Sequence, residues 1–153
     1  MLWSVMTAES LAHRSHSGQV DKDGRPYIEH VERVRNAAIA LVLQHSPDLD
    51  PATVGDVAWL HDVIEDTDLG PNELRAHSIS EDVITAVVAL TKVPGEPYLD
   101  LVARAANHPI ARWVKIADNL DNSDEERLGK LDPEAAARLR AKYELARSVL
   151  CWP

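Results

Sequence analysis

The sequence predicts an all-α fold, a single compact helical bundle with residues 1–153 as one domain. Three observations carry that expectation. Apolar residues recur at three- and four-residue spacing through most of the chain. Proline and glycine punctuate those stretches. One segment alone, DVITAVVAL at 82–90, is rich enough in β-branched residues to pass for a strand, and its flanking acids and lack of a partner strand favour helix. With 153 residues, 45% of them apolar and 27% charged, the chain can bury one continuous core without staples.

Residues 30–44 set Val31, Val34, Ala38, Leu41 and Val42 on one stripe, which predicts an amphipathic helix opening at His30. Pro51 starts the next helix, expected to run through PATVGDVAWLHDVIED at 51–66, since proline suits a first helical turn. Gly70-Pro71 ends it, and a short helix is expected at 72–77. Ser80 is the expected N-cap of a helix over 81–91, with Glu81 and Asp82 favourable against the helix dipole. Pro94, Gly95 and Pro97 then interrupt the chain before helices near 98–107 and 109–122. Pro133 opens a last helix rich in Ala, Leu, Arg and Glu. Six to eight helices are expected. The segment 19–27, QVDKDGRPY, is the early loop where charge, glycine and proline cluster.

Composition narrows the function. Sixteen Lys and Arg against 25 Asp and Glu give a net charge of -9, which argues against nucleic-acid polymers and anionic membranes as partners. Small phosphorylated ligands stay open, because a few local cations can outweigh the global field. The single cysteine, Cys151, rules out an intramolecular disulfide and any multi-cysteine metal site. With no secretory pattern at the start and no apolar run long enough to span a bilayer, the expected location is the cytoplasm.

Three elements carry possible chemistry. In AWLHDVIEDTD, His61 and Asp62 sit among apolar neighbours, and helical spacing adds Glu65 and Asp66 four residues on. Such a cluster suits a divalent cation with acid/base groups beside it, although a solvated polar helix face has the same composition. In VKIADNLDN, Asp118, Asp121 and Asn122 share a helix face, and Asp118 directly follows the apolar part. A polar helix end running into the acidic stretch 123–126 would look alike. In PYIEH, His30 follows Lys22 and Arg25, two cations that can meet phosphate or simply face water. Taken together, His30, His61, Asp62 and Asp118 lie on three predicted helices. They would form a mixed nitrogen and oxygen site for a borderline divalent metal.

This combination resembles the HD-domain metal-dependent phosphohydrolases, and within them the RelA/SpoT hydrolase domain and the free-standing small alarmone hydrolases. The likeness runs from about residue 8 to 127 and rests on AHRSHSGQ, GRPYIEH, LHDVIEDT, LTK and VKIADNLDN. It implies an all-α HD-domain bundle holding one manganese ion, with His30, His61, Asp62 and Asp118 at the ligand positions. It further implies that Glu65 and Asp66 handle the nucleophilic water, and that Lys22 and Asn122 meet the substrate. The synthetase domain of the long bifunctional members is absent from these residues, so the expected reaction is removal of pyrophosphate from the 3′ position of a (p)ppGpp-like or (p)ppApp-like nucleotide. A phosphatase acting on nucleoside monophosphates and a nucleotide-sensing module without turnover are the alternatives.

Two positions depart from the family pattern. The arginine that stacks on guanine is replaced by Asp21, which cannot provide cation–π stacking, and Arg25 is the candidate to take over. Asp121 stands where the family carries a histidine. His16 is expected to shape the site loop, His13 and His45 to lie at the surface, and His77 and His108 to be too scattered for a second metal. Trp3, Trp59, Trp113 and Trp152 are read as packing residues, the large aromatic volume in a chain without phenylalanine. The amphipathic last helix can either cover the core or support a homodimer.

Overall fold

The computed structural model describes residues 4–152. Among the described residues ten helices follow one another: α1 (Ala8–Ser15), α2 (Tyr27–His45), α3 (Pro51–Leu60), α4 (Val63–Asp66) and α5 (Pro71–Ala76), then α6 (Glu81–Leu90), α7 (Tyr98–Ala106), α8 (Ala111–Asn122), α9 (Glu125–Leu128) and α10 (Pro133–Leu150). Among the described residues the one extended pairing is an isolated bridge, Val20 to Pro26, that pinches the early loop. The all-α expectation holds.

The start signals act as their chemistry predicts. Asp50 accepts from the Ala52 amide ahead of Pro51, Ser80 accepts from Val83, and Asp132 accepts from Ala135 ahead of Pro133. Three expectations are corrected. The 51–66 helix is broken at His61-Asp62, because the His61 ring nitrogen Nδ1 donates to the Ala58 carbonyl at 2.7 Å and Asp62 turns to φ -109°, ψ 0°. α1 was not expected as a helix; Thr7 caps it by accepting from the Ser10 amide. The acidic stretch after Asn122 is helical too, because Asp124 accepts from both Glu126 and Arg127 and starts α9.

α2 is the central strut. It buries Val31, Val34, Ala38 and Val42 and packs on α3 and α8, while α10 closes over α7 and α8. α3 contributes Val54, Val57, Ala58 and Leu60, and α8 contributes Val114, Ile116 and Ala117 to the same core. Because α2 touches both α3 and α8, the start of α2, the end of α3 and the last turns of α8 meet at one place.

Trp59 and Trp113 are buried, and Trp152 meets Trp113 edge-on at 6.3 Å between ring centroids, so these three are packing residues. Trp3 lies outside the described residues. His13 and His45 are exposed as expected, each with one face against a tryptophan. No helix among the described residues is long and apolar enough to cross a membrane.

Candidate active site

His30, in the first turn of α2, is buried by its neighbours, and so are His61 at the break after α3 and Asp118 on α8. Their ligand atoms all lie within 4.8 Å of one another. His30 Nε2 is 3.2 Å from Asp118 Oδ1, and His61 Nε2 is 3.6 Å from the same oxygen. Asp62 stands beside this trio, with Oδ2 3.0 Å from His61 Nε2 and accepting from the Tyr27 hydroxyl. Asn122 Nδ2 donates to Asp118 Oδ1 at 3.0 Å.

The hydrogen bonds assign the imidazole tautomers. His61 Nδ1 donates to a backbone carbonyl, so its Nε2 carries a lone pair aimed at two carboxylates, and that buried atom has no hydrogen-bond partner. His30 Nδ1 lies 2.6 Å from Asp121 Oδ2, which frees its Nε2 in the same way. Two imidazole lone pairs facing two acids form the donor set of a divalent cation, and the residues fit one.

Without a cation, a proton takes its place. Burial opposes charge on His61 most strongly, but Asp62 and Asp118 outweigh it and raise its pKa well above 6.5. Burial is also the first effect on His30, and Asp118 and Asp121 again raise it. For the acids the balance is reversed: burial raises Asp62 and Asp121, yet the histidines and their other partners push both down to about 2. Asp118, held by Lys115, His30 and His61 against its burial, is lowered as well. Metal uptake is therefore expected to release about one to two protons and to weaken as the pH falls. Calorimetry in buffers of different ionisation enthalpy measures both. Acid pKa values lowered from 3.8 stabilise the fold above 3.8, and histidine values raised from 6.5 stabilise it below 6.5. The metal-free protein should thus melt highest within that window.

Next to the cluster, and joined to it by Tyr27 and Asn122, which bond Asp62 and Asp118, lies a cleft of about 470 Å³ lined also by Lys22, Glu65 and Lys142 among others. Glu65 accepts from the Lys92 amide at the cleft edge, and burial of one side together with Asp62 raises its pKa. Asp66 is outside the cleft lining, tied to Gln19, which in turn bonds buried His16 at 2.8 Å. Arg25 is not brought into the cleft. It pairs with Glu29 at 2.9 Å and lines a smaller neighbouring cavity. His77 and His108 bond backbone amides away from the cluster.

Asp21 has a structural task at the position where a stacking arginine is expected. Its Oδ1 accepts from the Asp23 and Arg25 amides, its backbone pairs with Arg25, and Gly24 makes the turn at φ 79°. Its Oδ2 faces Arg127, which reaches from α9 to Asp21, Asp23 and Asp121. Arg127, Arg33 and buried Lys115 are site residues that the sequence did not single out. Lys115 had a signal, a lysine inside the apolar run of α8. Arg127 had none, because its partners come from the loop and from α8.

Asp121 connects these groups to the metal cluster. It orients His30 and is itself held by Arg33 at 2.7 Å and by Arg127. Asp121→Asn keeps the shape but weakens the pull on His30, and is expected to lower metal affinity about ten- to hundredfold. Titration of the metal-free variant with manganese reads this directly.

A helical bundle whose break and helix ends converge two histidines and an aspartate beside a cleft with a carboxylate at its rim defines an HD-type hydrolase. The chain is 32% identical over 95% of its length to the human guanosine-3′,5′-bis(diphosphate) 3′-pyrophosphohydrolase MESH1, covering 82% of that protein. The chain belongs to this pyrophosphohydrolase family. It is also 29% identical over 77% of its length to the Aquifex aeolicus enzyme of the same name, and 33% identical over 79% to a Streptomyces coelicolor GTP pyrophosphokinase. It spans only 17% and 14% of those two proteins. A solved structure described as a metazoan ortholog of SpoT that hydrolyzes ppGpp superimposes with a TM-score of 0.74 at 24% identity, covering 94% of this chain and 83% of that one, and so shares the fold. No family model matches.

Proposed function

We propose that this chain, acting as one HD-type unit, is a metal-dependent phosphohydrolase that removes pyrophosphate from the 3′ position of a nucleotide bearing a 3′-diphosphate. The observation that carries this reading is the buried trio His30, His61 and Asp118, with Asp62 Oδ2 3.0 Å from His61 Nε2, beside a cleft that Glu65 lines. Family membership supports the substrate class.

His30, His61, Asp62 and Asp118 would hold the cation. Two imidazoles disfavour magnesium, and manganese is the ion we assign. When bound, the cation polarises phosphate oxygens and acidifies water beside them. Glu65, whose pKa is raised toward the working range, takes the proton of the attacking water. Asp66 steadies the Gln19 and His16 side of the same loop. Asn122 stands between Asp118 and the cleft, where it can hydrogen-bond the sugar or phosphate, and Lys22 neutralises phosphate charge. Water adds oxygen to phosphorus, the bond from phosphorus to the 3′ oxygen breaks, and that oxygen regains a proton. A small nucleotide is the partner, in the cytoplasm.

Base choice follows from Asp21. With the loop acid fastened to backbone amides and Arg127, the loop offers no stacking cation, so guanosine and adenosine substrates should differ in kcat/KM by less than about tenfold. Chromatography of products from both 3′-diphosphates, with a monophosphate control and manganese present, tests the reading. Pyrophosphate from either is expected. Orthophosphate from the monophosphate alone would replace this reading with a phosphatase, and tight binding without any product would make the protein a sensor.

A further inference from the structure

Three cations line the cleft: Lys22 from the early loop, Arg127 from α9 and Lys142 from α10. Arg127 is already committed, donating to Asp121 and lying 3.4 Å from Asp21 and 3.8 Å from Asp23. Among the described residues, neither Lys22 nor Lys142 forms an ion pair with an acid. The Lys142 ammonium rests 4.2 Å from the Tyr98 ring centre and 5.7 Å from that of Tyr143, so aromatic faces hold it in place where a carboxylate would otherwise be expected.

Its surroundings are cationic. Burial first, then Lys22 and Lys115, lower the Lys142 pKa, and Asp118 offsets them only in part. Lys115 is itself engaged with Asp118 at 3.3 Å. Two lysines brought together without an acid repel each other, and an anion between them removes that cost. Tyr27 and Asn122, which bond Asp62 and Asp118, mark the side of the cleft next to the metal cluster, whereas Lys142 belongs to α10, outside the segment that carries the metal ligands.

We propose that Lys142 and Lys22 form a two-lysine clamp for a phosphate group of the nucleotide other than the one that reacts, a 5′-phosphate or 5′-diphosphate. The clamp rests on the nucleotide reading above and adds the residue that gives the cleft its selectivity for a doubly phosphorylated substrate. Because Lys142 stands on a helix and is braced by Tyr98, it is pre-positioned, while Lys22 comes from the loop that Asp21 and Arg127 fasten.

Equilibrium binding to the metal-free protein, in the presence of a chelator, tests the clamp without turnover. The probes are guanosine 5′-diphosphate, adenosine 5′-diphosphate and the two parent nucleosides. Wild type should bind the 5′-diphosphates more tightly than the nucleosides. Lys142→Ala, Lys142→Gln and Lys22→Ala should each weaken the 5′-diphosphates about ten- to hundredfold and leave the nucleosides unchanged, with Lys142→Arg restoring most of the loss. Unchanged manganese affinity in the same variants establishes that the cluster is intact. Equal 5′-diphosphate binding by wild type, Lys142→Ala and Lys142→Gln, or an equal loss for nucleosides and nucleotides, would overturn the clamp. Failure of the pyrophosphohydrolase reading appears elsewhere, as wild-type protein that binds these probes as expected but releases no pyrophosphate from a 3′-diphosphate.

Discussion

Asp118→Asn should abolish manganese binding and turnover together, and should also destabilise the metal-free protein. Asp118 is the meeting point of the site: His30, His61, Lys115 and Asn122 all address its two oxygens. Neutralising it removes the one carboxylate oxygen that both imidazoles share. It also strands Lys115, a buried ammonium whose pKa is raised chiefly by Asp118 against its burial. Breaking one partner of a buried pair costs about 3–5 kcal/mol, because the other charge stays behind without compensation. Thermal melting with chelator present therefore separates two effects. Wild type and variant should differ strongly even without metal, and the wild type alone should gain stability from manganese. The double variant Asp118→Asn with Lys115→Met should recover part of the metal-free stability and none of the activity.

Glu65→Gln is the second large effect, and it divides binding from chemistry. Glu65 lines the cleft and is absent from the His30–His61–Asp118 cluster. The variant should bind manganese as wild type does and lose about 10²- to 10⁴-fold in kcat, the range for a general base. Its amide can still meet the water and the Lys92 backbone but cannot accept a proton. A fall in manganese affinity in step with kcat would make Glu65 a ligand and remove its proton-handling role.

Much of the site was legible because its chemistry is compressed into short strings. LHDVIEDT places His61, Asp62 and Glu65 within five residues, and apolar neighbours already argue that such polar groups need a partner. Helical periodicity likewise marks α2, α6 and α10, whose apolar stripes are regular. The break after Leu60 was not legible, since it depends on a ring nitrogen of His61 capturing a helix carbonyl, an option that periodicity does not register. That break sets Glu65 on the cleft edge and leaves Asp66 beside Gln19, so the expected equal pair of acids becomes two residues with different surroundings.

The departures from the family pattern at Asp21 and Asp121 were visible as substitutions, and their meaning required the fold. Both acids converge on Arg127, a residue 106 positions from Asp21 in the chain, which fastens the loop and braces His30 through Asp121. A pairing at that separation leaves no trace in local spacing. Arg25 shows the opposite case: its sequence position beside Lys22 suggested a shared role, whereas it pairs instead with Glu29 from the first turn of α2.

The central claim is that water attacks phosphorus and pyrophosphate leaves the 3′ oxygen. Turnover of a nucleoside 5′-diphosphate 3′-diphosphate in ¹⁸O-water with manganese, followed by mass spectrometry of both products, tests it most directly. One ¹⁸O atom in the released pyrophosphate and none in the nucleoside 5′-diphosphate is the predicted result. Label at the nucleoside 3′-hydroxyl, or orthophosphate as the first product, would contradict it.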